Sequence, residues 1–162
     1  MKRSRLWITI GIIALLSAAG SAVALQVQAA GAQGTRGRAY IVTVTDSTGQ
    51  SVSREVITLH ADHTMSVTDS AQGGPGYYFT SELGAWASKG RGRIVGRTID
   101  FDLPPSPADL ARLDFTLTLS GDRSRLAGSV TVTYFPTDTA DPLGDGGTVI
   151  GTFTLAGQRI QP

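Results

Sequence analysis

The chain has no cysteine among its 162 residues. That excludes disulfides, thiolate metal sites and a lipid-modified N-terminal Cys together. Charge of either sign is also scarce. Charged residues are 17% of the chain against the usual quarter, and the formal net charge is +1. There is therefore no electrostatic case for nucleic acid or an anionic surface as a partner. No G-x-S-x-G, phosphate loop, nucleophile–base pair at usable spacing or nucleic-acid signature occurs, and nothing in the residues calls for a cofactor. Beyond the first thirty residues no hydrophobic run is long enough to suggest a membrane span. What is abundant is Gly, at 20 residues, with frequent Thr, Val, Ile, Phe and Tyr. These favour strands, turns and bulges.

The N-terminus reads as an address. Lys2, Arg3 and Arg5 precede an apolar stretch from Leu6 to Leu16, and Ala22-Val23-Ala24 is an A-x-A site. This is the tripartite pattern of a secretory signal. The expected organisation is a signal peptide over 1–24 and a flexible leader over 25–37, followed by a β-domain over 38–162. Cleavage is expected after Ala24, with Ala30-Gly31-Ala32 as a second possible site. The run from Leu6 to Ala19 is short for an uncleaved anchor. The mature protein is thus expected to be secreted, without a stable membrane span.

The stretch from Ala111 to Phe135 organises the rest. Leu113, Phe115, Leu117 and Leu119 alternate with Asp114, Thr116 and Thr118. After Ser120-Gly121-Asp122, Leu126, Gly128, Val130, Val132 and Tyr134 alternate with smaller or polar residues. A period of two with one apolar face predicts a half-buried antiparallel hairpin. Further strands are predicted over 38–45, 52–60, 64–68, 83–88, 93–103 and 148–156, joined by turns rich in Gly, Asp and Ser. Ser106 at N-cap, Pro107 at N1 and Asp109 at N3 suit one short helical turn, the only helical signal after the leader. The pattern predicts an all-β fold of about eight strands in sequential order. That is a single antiparallel up-and-down barrel, with a two-sheet sandwich as the alternative. Closure suits a secreted chain that has no disulfide, because it leaves no edge strands.

Several short motifs resemble a family of small secreted bacterial β-barrel proteins, whose fold is similar to the allene oxide cyclase and dirigent barrels, a lipocalin-like shape. Leu59-His60-Ala61-Asp62-His63-Thr64 resembles the family's F-H-A-D-G-T hairpin, and Gly84-Ala85-Trp86 its G-x-W strand. Ser120-Gly121-Asp122 fits, as do Gly151-Thr152-Phe153 and Arg159-Ile160 at the end. His63 departs from the pattern, which has Gly after Asp where a positive φ is wanted. The resemblance implies a barrel with a central cavity. It does not imply cyclase activity, since such barrels host enzymes and plain binders alike.

Candidate chemistry is sparse. His60, Asp62 and His63 cluster in sequence but at a solvated hairpin tip, so the expected reading is a polar turn with Asp62 bonding backbone, and no metal. Asp138, Asp141 and Asp145 match no calcium-loop spacing. Asp100, Asp102 and Asp114 oppose Phe101 and Phe115 in the alternation. They are expected outside, paired with arginines such as Arg97. Glu55 shares a face with Ile57 and Leu59. If that face is inward, its carboxyl sits at the barrel mouth with a raised pKa, able to act as acid or base. The alternative is a strand-end residue reaching solvent, because isolated buried carboxylates are costly. Tyr77 and Tyr78 are rim candidates.

The expected cavity wall is Ile57, Leu59, Trp86, Phe101, Leu113, Phe115, Leu117, Val130, Val132, Tyr134 and Phe153. Gly96, Gly128 and Gly151 either bend the barrel or leave space inside it. The expected function is binding of a small hydrophobic molecule, or service as a stable extracellular module. The alternative, by resemblance, is an isomerase or cyclase, or a dirigent-like protein, with Glu55, Tyr40 and Tyr134 as catalytic candidates. An interior void of roughly 300 Å³ or more with convergent polar groups separates a ligand site from a filled module.

Overall fold

Eight antiparallel strands, each hydrogen-bonded to the next in sequence and the last to the first, close a β-barrel. The computed structural model describes residues 37–73, 78–104 and 109–162. The strands are β1 (Arg38–Thr45), β2 (Ser51–Leu59), β3 (Thr64–Asp69), β4 (Glu82–Ser88), β5 (Arg93–Phe101), β6 (Asp109–Leu119), β7 (Arg125–Pro136) and β8 (Thr148–Arg159). The up-and-down barrel holds and the two-sheet sandwich does not. No helix among the described residues is long and apolar enough to cross a membrane. The expected signal peptide and leader, up to residue 36, lie outside the described residues, as do Ser106, Pro107 and Tyr77. Asp109, expected within a helical turn, opens β6 instead.

Local chemistry explains the turns. Asp46 Oδ1 accepts from the backbone N–H of Thr48 and Gln50, and Gly49 takes φ +87°. Asp62 Oδ1 accepts from Thr64 N–H and hydroxyl, and Asp122 Oδ1 accepts from Ser124 N–H. These are Asx-type turns, in which a short side chain substitutes for a backbone acceptor. His63 adopts φ +69° where the resembled hairpin has Gly. Its ring lies 4.8 Å from the Trp86 ring, and the Trp86 indole N–H donates to His60 O. Tertiary contacts thus hold a conformation that a non-Gly residue adopts at some cost.

The barrel has two unlike ends. The hairpins β2–β3, β4–β5 and β6–β7 and both ends of the barrel chain mark the closed end, filled by Tyr40, Leu59, Met65, Trp86, Ile94, Phe115, Leu117 and Leu126. Glycine matters here because strands approach closely. A Cβ at Gly128 would stand 2.1 Å from Thr116 O, and one at Gly96 would stand 2.6 Å from Met65 Sδ. Both glycines therefore tighten this end rather than leave space inside it. The other end, between the β1–β2 turn and the β3–β4, β5–β6 and β7–β8 connections, is open inside.

Register corrects one expectation. Ile94 pairs with Leu117, Gly96 with Phe115 and Thr98 with Leu113, so Ile94, Thr98 and Asp100 share the inner face of β5. Phe101, expected on the cavity wall, is 50% exposed on the outer face. Asp100, expected outside, is 5% exposed and faces in. The C-terminal half of β5 taken alone, with Ile99, Phe101 and Leu103, suggests the opposite phase. The uninterrupted pairing of β5 with β6 decides it, because one phase runs the whole strand when no bulge intervenes.

The β7–β8 connection is also more ordered than its polar composition suggests. It folds back along the outside of the barrel. Arg112 is outward-facing yet 9% exposed, and its guanidinium donates to Pro142 O and Gly144 O and lies over the Phe135 ring. Arg97 donates to Leu143 O, and Asp114 accepts from both arginines. Asp114 is thus the outer cross-strand partner expected of it.

Candidate functional site

The open end encloses a cavity of about 340 Å³. Its two halves differ in chemistry. On one side β6, β7 and β8 present Ala111, Leu113, Val130, Val132, Tyr134 and Phe153. On the other, β2 to β5 present Glu55, Asp69, Glu82, Asp100 and, just beyond β5, Asp102. Phe79 also lines it, held by an antiparallel bridge to Asp102 and by the flanking bonds Thr80 N–H to Phe101 O and Leu103 N–H to Tyr78 O. Tyr78 is half-buried beside it.

The acidic half follows from register. Glu55 pairs directly with Asp69, and Val67, two residues before Asp69, pairs with Glu82. Successive inward positions on neighbouring strands therefore set carboxyls side by side. Glu55 and Glu82 are each 3% exposed. Among the described residues the cavity is lined by no Lys, Arg or His. Burial pushes Glu55 up to about 8, with the Asp69 carboxylate adding to it. Burial first, then the Glu55 charge, raises Glu82 well above the usual carboxylate range, against the opposing effect of a 2.7 Å hydrogen bond donated by Thr98. Asp100 rises to about 7, again mainly through burial, and Asp102 is raised by burial and by Asp109. These are the two standard causes of a raised acid: desolvation of the charged form and like charge nearby. The upward shifts favour the protonated forms of Glu55 and Glu82, in which the acid offers an O–H donor. Glu55 Oε2 and Asp100 Oδ1 have no hydrogen-bond partner.

The catalytic candidates separate. Glu55 and Tyr134 both line the cavity. Tyr40, the third catalytic candidate, does not: it is fully buried at the closed end, where its hydroxyl donates to Arg123 O, away from the cavity. The expected wall divides likewise. Leu113, Val130, Val132, Tyr134 and Phe153 line the cavity; Ile57, Leu59, Trp86, Phe115 and Leu117 pack the core beneath it. The physical reason is depth, since alternation marks the inner face of a strand and not the level along the barrel axis. Asp69, Glu82, Asp100 and Phe79 escape sequence reading, and Asp102, expected outside with Asp100, lines the cavity as well. For Glu82 a signal existed, because it stands four residues before inward Trp86 on one strand and so shares its face.

No group of three or more His, Cys, Asp or Glu side chains among the described residues is arranged to hold a metal ion. Asp141 Oδ1 accepts from the N–H of Leu143 and Gly144. His60 Nε2 lies 3.1 Å from Ser66 Oγ.

Searches against protein-family models, curated proteins and solved structures find no match to this chain.

Proposed function

We propose that this chain is a secreted barrel protein that binds a small, largely apolar molecule at its open end. The observation that carries the reading is the cavity of about 340 Å³, apolar on β6 to β8 and hydrogen-bonding on β2 to β5. That lies within the roughly 300–1,000 Å³ of small-molecule sites, and a few polar groups set in an apolar wall suit orientation of a ligand. A purely structural module gains nothing from leaving one end of its interior open while burying carboxyls there, since unfilled space and unpaired polar groups both cost stability. The N-terminal charge, apolar core and A-x-A site support secretion.

The test uses prodan, an uncharged naphthyl ketone whose emission shifts to the blue in apolar surroundings. The sample is the full mature chain. Binding is expected to be saturable and stoichiometric, and Val132→Trp, which fills the cavity from the apolar wall, is expected to abolish it while leaving the far-UV circular dichroism of the barrel intact. Equal binding by wild type and the filled variant would sink the reading.

Glu55 supports a second reading. A carboxylic acid held protonated beside an apolar wall, with Tyr134 also on the lining, suits proton transfer to or from a hydrophobic substrate. The resemblance to allene oxide cyclase and dirigent barrels points the same way, to an isomerase or cyclase or to a protein that orients a reaction. Recovery of a retained ligand unchanged after prolonged incubation leaves a binder; conversion that stops in Glu55→Gln while binding persists makes it an enzyme.

A further inference from the structure

The acidic half of the cavity has more carboxyls than an apolar ligand requires. The titratable groups on its lining are Glu55 on β2, Asp69 on β3, Glu82 on β4, Asp100 and Asp102 at the end of β5, and Tyr134 on β7, while β1, β6 and β8 contribute none. Of the carboxyl partners, Asp69 accepts from Ser53 hydroxyl and Ala71 N–H, and Glu82 from Thr98. Glu55 Oε2 and Asp100 Oδ1 are left with no partner although their side chains are 3% and 5% exposed. Buried polar atoms are rarely left so. Two acidic side chains on the cavity lining, each with a buried oxygen left unpartnered and with no basic side chain on the described lining, make a site that lacks its positive charge.

We propose that the cavity takes an amphipathic organic cation, an amine on an apolar and preferably aromatic body. The ammonium stands among Glu55, Glu82 and Asp100, and the body rests on Leu113, Val132 and Phe153. An ammonium has three donors and no acceptor, which matches oxygens that need donors. A metal ion fits less well. The described residues present no metal-holding group, and a hydrated ion would leave the apolar wall unused. The proposal rests on the reading of the cavity as a small-molecule site and adds the charge of the ligand to it. Raised carboxyl pKa values support it in one respect: a cation entering displaces protons from groups that hold them in its absence.

Tryptamine, tryptophol and indole-3-acetate share one ring and differ in charge, from positive to neutral to negative. Titration calorimetry of the mature chain with each, at pH 5.5, 7 and 8.5, reads the preference directly. Tryptamine is expected to bind about tenfold or more tighter than tryptophol at pH 8.5, with the ratio shrinking at pH 5.5 and indole-3-acetate weakest throughout. Tryptamine binding at pH 7 is expected to release protons, seen as a dependence of the heat on the buffer's ionisation enthalpy. The double variant Glu55→Gln with Asp100→Asn should lose the preference for tryptamine over tryptophol. Equal affinity for tryptamine and tryptophol at every pH overturns the cation and leaves the small-molecule site standing. No binding by any of the three, in a chain whose circular dichroism is that of the barrel, overturns the cation, and failure of prodan as well overturns the site. Calcium binding that tryptamine does not displace overturns it too.

Discussion

Glu55 and Asp69 are direct register partners on β2 and β3, and both side chains turn into the same enclosed space. Like charges placed directly across a strand pair are destabilising, and here burial amplifies the effect. The protein meets this cost by keeping protons, which makes its stability depend on pH in a definite direction.

Burial raises Glu55 from 4.5 to about 8 and Asp100 from 3.8 to about 7. Between those limits the folded protein holds protons that the unfolded chain releases, so stability falls as pH rises. The contribution is fully present below the ordinary carboxylate values and is lost once pH passes about 8. The turn residue Asp122, lowered to about 2 by its hydrogen bonds to Ser120 and Ser124, acts in the opposite sense, but only as pH falls below its ordinary 3.8. Urea unfolding is therefore expected to show a higher midpoint at pH 5 than at pH 8.5. The slope is set at up to about 1.4 kcal/mol per pH decade for each group that keeps its proton on folding. Glu55→Gln should make the slope shallower, with Glu82 and Asp100 supplying what remains. A midpoint constant across that range would contradict the buried-acid account.

Thr98 and Glu82 form a second buried pair, with the hydroxyl donating at 2.7 Å. Thr98→Val keeps the shape and removes the donor, leaving Glu82 Oε2 without that bond. The expected loss is about 1–3 kcal/mol. It should be larger at high pH, where the ionised carboxylate depends most on a donor. Thr116→Val, on the exposed face of β6, is the control and should change stability by no more than about 0.5 kcal/mol. Equal effects at the two positions would mean the hydrogen bond contributes nothing.

Arg112 holds the β7–β8 connection against the outer wall through Pro142 O, Gly144 O and the Phe135 ring. Arg112→Met keeps much of the aliphatic contact and loses the donors and the charge. The expected cost is about 1.5–3 kcal/mol. Release of the connection should also speed cleavage before Asp138, Asp141 and Asp145 by an Asp-specific protease, several-fold over wild type. Unchanged cleavage would show that the connection keeps its place without the arginine.

Much of this fold was legible in the residues. The leucine and valine rows of β6 and β7, and the aspartates that bend the turns at Asp46, Asp62 and Asp122, are local signals: strand, turn and strand again are written within about ten residues of one another. Strand order followed because short turns leave a strand nowhere to go but beside its predecessor. Glu55 was legible as a question, since its face was known and the side of the sheet was not.

Sequence by itself determined the number of strands, their order and which residues share a face, because these depend on neighbours close along the chain. Tertiary structure alone decided which face of β5 points inward, turning Asp100 in and Phe101 out, because pairing with β6 sets that phase. It decided that one end of the barrel is filled and the other open, which depends on volumes summed across eight strands. It also decided that Glu55, Asp69, Glu82 and Asp100 stand together. Their separations in sequence say nothing of it, yet the raised proton affinities of Glu55, Glu82 and Asp100 come from burial and from neighbouring carboxylates.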